Sequence, residues 1–275
     1  MEIKEITELS KPLVKLLIVF EDGCSWITKP LQHKRLAVVE SQTRLIDDIT
    51  EFKKELTEEL LDDTGAMLHS KREKNQVQNI VNIFSKAAQE LQYLDDIDEN
   101  RVNQEWCAMF FDNCKDVANE DIQLIWSKLL VKEIKEPSTI SKRTLSVLKN
   151  MEAFELKWFA DICQYANNGC YVHESVDNVI PKSQISTLYD CGVLNTRQCT
   201  TIFNNSKQCI RFNDYAIKLN LDDKNKEIYL DCYSFTDAGR QLYMIQDPVT
   251  DIDFVEKLSE RINKKFNINS LVVQL

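Results

Sequence analysis

The chain has 275 residues, with 44 acidic against 34 basic side chains and a formal charge of −10, which argues against a general polyanion binder. Hydrophobic residues make up 43% and charged residues 28%, enough apolar material to bury a core and ordinary for a globular protein. Five glycines and five prolines are few for this length and fit long helices joined by short connections.

Ile6 to Phe20 reads as a helix, broken at Glu21-Asp22-Gly23. Its apolar run, Leu16 to Phe20, falls far short of the ~20 residues that span a bilayer. Pro12 to Phe20 is nevertheless the segment that would lie on a membrane surface, although packing on the protein's own bundle is the commoner use of such a helix. Pro30 opens a long helical stretch to Leu61 with a densely charged outer face, and Asp63-Thr64-Gly65 punctuates it. A second long helix follows from Leu68 to Tyr93, turning Val77, Ile80, Val81, Phe84, Ala88 and Leu91 inward. The acidic run Asp95 to Glu99 lacks the central glycine and closing glutamate of a calcium loop and reads as a solvated connector.

The central block is the most patterned part. Val102, Trp106, Met109, Phe110, Cys114 and Val117 recur at helical spacing, as do Ile122, Ile125, Trp126, Leu129 and Leu130. Asn119 is placed to cap the second helix, with Glu120 and Asp121 against the positive end of its dipole. Pro137 ends it, and Ser141 caps a third helix carrying Leu145 and Leu148. Phe154 to Tyr165 gives one more helix, closed by Asn167-Asn168-Gly169.

The texture then changes. Tyr171-Val172 reads as a short strand and Pro181 to Asp190 as a helix stopped by Gly192. Gln208 to Leu219 and Glu227 to Tyr233 read as two strands joined at Asp222-Asp223-Lys224-Asn225. Thr236 caps a short helix through Ala238, Leu242 and Ile245, a last helix covers Ile252 to Phe266, and Ser270 to Leu275 adds an edge strand. The expected fold is mainly α: long N-terminal helices (1–100), a central helical bundle (101–168) and a small α+β winged-helix-like domain (169–275).

Trp106-x3-Phe110-Phe111, the run from Glu120 through Trp126 to Glu133-Ile134, and Pro137-x3-Ser141-x-Arg143-Thr144-Leu145 together resemble an uncharacterised bacterial family, domain-of-unknown-function 2806. The opening Leu9-Ser10-x-Pro12-Leu13-Val14 and the Phe235-Thr236-x2-Gly239-x2-Leu242 turn are similar to the same family. A looser similarity reaches the Abi-alpha abortive-infection proteins, which share the Trp-x-x-Leu-Leu helix. Val131-Lys132 depart from the small residues that often follow that run. The resemblance implies a protein of bacteria and their mobile elements, with a link to phage defence, and is nearly silent on activity.

Catalytic chemistry finds few candidates. The three histidines, His33, His69 and His173, stand in no nucleophile motif, and no glycine pair is close enough for a phosphate loop. Nine cysteines form no CxxC pair and read as reduced thiols of a cytoplasmic protein. Cys170-x2-His173, with Cys163, Cys191 or Cys199, is the nearest approach to a metal site, but it supplies only one tight ligand pair where structural zinc wants two. Asp177, Glu174 and Lys182 do not follow the Asp, Glu-x-Lys order of a restriction-type nuclease. The adjacent pairs Asp47-Asp48 and Asp62-Asp63 point apart on a helix.

The expectation is therefore no catalytic residue, no metal, no cofactor and no small-molecule substrate. The candidate contact residues are Lys128, Lys132, Lys142, Arg143 and Lys149, with Lys135 beside them; cations near a helix C-terminus also have a structural reason to be there. Three readings follow. The first is a non-enzymatic scaffold or sensor of a bacterial anti-phage or prophage system, working through protein contacts and self-association. The second is a winged-helix nucleic-acid regulator using the basic cluster. The third is a membrane-acting abortive-infection effector using Pro12 to Phe20.

Overall fold

The computed structural model describes residues 15, 16, 19, 23, 71–91, 100–204, 208–221 and 227–275. Within them lie eight α-helices, one 3-10 turn and seven strands in two small antiparallel sheets; the described residues are thus mixed, with helices before and after residue 150 and strands only after residue 165. Two compact units divide it, Met1–Lys149 and Asn150–Leu275. The helix expected over 30–61, the punctuation at 63–65, the two adjacent acid pairs, His33, His69, Cys24, the connector at 95–99 and the turn at 222–225 lie outside the described residues.

In the first unit, Lys15, Leu16 and Val19 are helical, and Leu16 and Val19 are each 1% exposed, so these two side chains pack inward; the rest of Pro12 to Phe20 lies outside the described residues. Helix α1 (Lys71–Leu91) buries the stripe its spacing predicts and packs mainly on α3 (Glu120–Lys135), with a smaller contact to α2 (Gln104–Cys114). The N-caps form as the sequence requires. Asn103 accepts from the Trp106 amide at 3.1 Å and Asn119 from that of Ile122 at 3.0 Å, each satisfying a donor that the first helical turn leaves unpaired. Ser141 Oγ accepts from the Thr144 amide at 3.2 Å at the start of α4 (Lys142–Asn150). Trp106 stacks on Phe110 with ring centroids 5.1 Å apart, and Trp126 meets Phe110 edge-on at 5.3 Å. All three are buried, so both tryptophans are interior packing.

The second unit begins with α5 (Ala153–Cys163), capped reciprocally by Glu152 and Glu155. It packs on α6 (Lys182–Asp190) and α7 (Asp237–Gln246), which places the division between units ahead of the boundary expected at residue 168. Strands β1 (Ala166–Asn167), β2 (Tyr171–His173), β3 (Leu194–Phe203) and β6 (Ile228–Phe235) form one sheet in the order β1-β2-β6-β3. Strands β4 (Cys209–Arg211), β5 (Tyr215–Asn220) and β7 (Asn269–Gln274) form the other, in the order β4-β5-β7.

This topology corrects the expected hairpin. The stretch 208–219 is two strands, because the chain reverses at Asn213-Asp214: the Phe212 amide bonds Tyr215 O at 2.8 Å, and Asp214 exchanges hydrogen bonds with Thr250. Strand β5 has β4 on one side and β7 on the other, leaving no edge for β6. β6 lies between β2 and β3 instead, paired on both sides, with alternate residues Ile228, Leu230 and Cys232 buried. Helix α8 (Ile252–Phe266) matches its expected bounds, capped by Asp251 and ended by Asn267 in the left-handed region.

Candidate functional site

The residues that carry the central sequence pattern hold a turn in place. Glu133, in the last turns of α3, is 1% exposed. One carboxylate oxygen accepts from the Ser138 amide at 2.6 Å and the other from the Ile140 amide at 2.8 Å. Trp106 Nε1 donates to Ile140 O at 2.8 Å, so Ile140 is fixed through both backbone polar groups. Ser138 sits at φ 70°, a backbone state that needs such support in a residue other than glycine. Burial pushes the Glu133 carboxyl up from its ordinary value; the amides of Ile140, Ser138 and Thr139 and the charge of Lys15 pull the other way. The Phe235-Thr236-x2-Gly239 pattern is likewise a brace. Thr236 Oγ1 donates to Gly192 O at 2.7 Å and accepts from the Gly239 amide at 3.0 Å, while the Thr236 amide bonds Val193 O at 3.0 Å.

The five candidate cations are spread over two helices. Lys128 and Lys132 lie one turn apart on α3, Lys142 and Arg143 open α4, and Lys149 is in its last turn. Two of them have carboxylate partners: Lys132 meets Glu136 at 2.7 Å, and Lys142 pairs with Glu105, whose carboxyl it holds below the usual range. Lys135 is half-buried, in the last turn of α3, where the helix dipole favours it.

The Cys170 and His173 pair does not develop into a ligand set. His173 Nδ1 accepts from the Ser175 amide at 3.0 Å, and among the described residues no three His, Cys, Asp or Glu side chains are placed to hold a metal ion. The eight described cysteines are free thiols, and Cys107, Cys114, Cys163 and Cys232 are buried. Asp177 accepts from Tyr233 OH at 2.8 Å and meets Lys182 at 3.4 Å, engaged away from any nuclease arrangement.

A cleft of about 450 Å³ opens instead between β2, β6 and the end of α8. Leu230, Leu258 and Ile262, each at most 2% exposed, form its floor and the half-buried Phe266 its apolar side; His173, Glu174, Arg261, Lys264 and Lys265 supply its polar one. Helical spacing explains the gathering of charge, since residues 261, 264 and 265 are three and four apart and share a face beside the buried Leu258 and Ile262. Among the described residues none of Arg261, Lys264 and Lys265 pairs with a carboxylate; Lys265 Nζ lies 5.3 Å from the Phe266 ring. A backbone N–H can only donate, so His173 Nδ1 is unprotonated and Nε2 carries the hydrogen. Burial, with the charges of Lys265 and Arg261, holds the imidazole down to about 4, so it is neutral at pH 7. Sequence reasoning passed over these three cations. Their spacing on α8 was the available signal, but nothing local told that His173 would lie opposite.

A family model described as a protein of unknown function, DUF2806, matches residues 66–176 and 172–259. The chain belongs to this family. The DUF2806 match takes in the brace around Glu133, the Thr236 turn and the first half of α8 as far as Ser259. Arg261, Lys264 and Lys265 lie beyond it. No curated protein and no solved structure matches the chain.

Proposed function

We propose that this chain is a non-enzymatic scaffold or sensor that works through protein contacts, self-association among them, in the cytoplasm of bacteria carrying an anti-phage or prophage system. The observation that carries the reading is strand β7. It pairs with β5 on one side, no described strand covers the other, and Ile268 to Leu275 contains no charged residue. Leu271 is 63% exposed. Monomeric proteins usually blunt such an edge with lysine, proline or a bulge, so an uncharged one suits pairing with another chain. The setting rests on the looser resemblance to Abi-alpha proteins drawn from the Trp126-x2-Leu129-Leu130 helix. Among the described residues no helix is long and apolar enough to cross a membrane.

Light scattering of the purified protein tests this: a dimer or larger species is expected, shifted to monomer by Leu271→Lys. A monomer across the concentration range refutes it. A second reading, a winged-helix nucleic-acid binder, is favoured by one arrangement: α6 leads directly into β3, which pairs antiparallel with β6 as wing strands would. Lys182, at the start of α6, already meets Asp177, which weakens that reading. Gel shifts at low salt, with Lys142→Ala and Arg143→Ala, decide it.

A further inference from the structure

We propose that the cleft between β2, β6 and α8 binds a nucleoside phosphate, with the phosphate among Arg261, Lys264 and Lys265 and the nucleoside against the apolar wall. The cations argue first. In a chain of charge −10, three positive side chains line one cavity without a carboxylate partner among the described residues. Arg261 stands three and four residues before Lys264 and Lys265, like-charge pairs that each disfavour the helix weakly; Glu260, four before Lys264, offsets part of this, and an anion among the three would relieve the rest. The helix dipole accounts for Lys264 and Lys265 in the last turn, but it does not account for Arg261. Arginine also supplies the planar fork that grips a phosphate at two oxygens.

The remaining walls narrow the ligand. His173 contributes a neutral N–H donor at Nε2, its tautomer set by the Ser175 amide, so it adds a hydrogen bond without a fourth repelling charge. Inorganic phosphate would fill only part of a cleft of about 450 Å³, which lies within the range for small organic ligands. The half-buried Phe266, whose ring has Lys265 Nζ 5.3 Å from its centroid, offers a base an aromatic contact once Lys265 turns to the phosphate. Glu174 is the acidic member of the lining. It repels a phosphate at its own end and accepts from a sugar hydroxyl or base amine, which fixes the direction of binding.

Titration calorimetry on the full chain with AMP, adenosine, inorganic phosphate and a short single-stranded oligonucleotide tests the assignment. AMP is expected to bind more tightly than phosphate, adenosine not at all, and AMP binding is expected to weaken with salt. Arg261→Ala and Lys265→Ala, both at exposed positions, each lose about tenfold or more in AMP affinity, the loss expected for one charge-assisted contact. No heat with AMP at millimolar concentration overturns the proposal, as does AMP affinity unchanged in both variants. Equal affinity for phosphate and AMP overturns the role of the apolar wall, and binding of the oligonucleotide alone overturns the small-molecule assignment. The proposal rests on the cleft and not on β7, so the oligomeric state of the same samples reports separately on self-association.

Discussion

Replacing Glu133 by alanine is expected to loosen the turn at 136–140 more than it relieves the buried carboxylate. The wild-type group is desolvated, and the upward displacement of its titration shows that burial outweighs the amides bonded to it. Removing it therefore recovers some free energy. Against that, the Ile140 amide is left without an acceptor in a residue only 2% exposed, a loss of about 1–3 kcal/mol, and the side chain's volume becomes a void. The Ser138 amide belongs to an exposed residue and can turn to water, so it adds little. The net expectation is about 2 kcal/mol of local destabilisation, or roughly thirtyfold faster exchange of the Ile140 amide where opening is local. Glu133→Gln should not rescue it fully, since an amide offers one accepting oxygen where the turn presents two donors. Hydrogen exchange followed by NMR reads both variants. Unchanged protection at Ile140 in Glu133→Ala would refute the bracing role.

Gly239→Ala would place a Cβ 2.1 Å from Val193 O, itself held by the Thr236 amide. Backbone crowding of this kind costs about 1–3 kcal/mol and outweighs the ~1 kcal/mol that alanine gains over glycine in a helix, so thermal unfolding should shift downward; a rise in Tm contradicts this. His173 should titrate near 4 by NMR, below its ordinary 6.5, with Nε2 protonated at neutral pH. Its neutral form thus contributes stability that is whole above pH 6.5 and is lost as pH falls through 4, up to about 3 kcal/mol; a midpoint at 6 or above argues against the buried placement. Alkylation of the native protein should mark the exposed Cys170 first and spare Cys114 and Cys163, whose thiols burial pushes up, with Cys232 likewise raised to about 12. Equal labelling of Cys163 and Cys170 by mass spectrometry would overturn that order.

The helices were legible because their signals are local. The stripe on α1, the caps Asn119, Ser141 and Thr236, and the bounds of α8 follow from spacing and capping chemistry within a few residues. Strands β2, β6 and β7 were legible too, near the expected Tyr171-Val172, Glu227 to Tyr233 and Ser270 to Leu275, but their pairing was not, because pairing is a long-range choice. β3 runs Leu-Asn-Thr-Arg-Gln-Cys-Thr-Thr-Ile-Phe, with apolar residues at its two ends and polar ones between, and becomes a strand only when β6 is beside it. The turn at Asn213-Asp214 is plain in composition yet was submerged in the longer apolar pattern from Cys209 to Leu219. The basic groups divide in the same way. Lys132 and Lys142 were conspicuous as clustered charge, and each proves to have a carboxylate within reach. Arg261, Lys264 and Lys265 drew no notice in the sequence, and only packing sets them around a cavity with His173.

The pairing of β5 with β7 has a consequence for synthesis on the ribosome. Ile217 waits for Val272, made 55 residues later, and in the interval β5 has only the short β4 beside it. That nascent strand presents an open row of amides and carbonyls while translation continues through β6, α7 and α8. Slow elongation over this interval, or release before Val272 is made, leaves the small sheet half built and open to capture by a neighbouring chain.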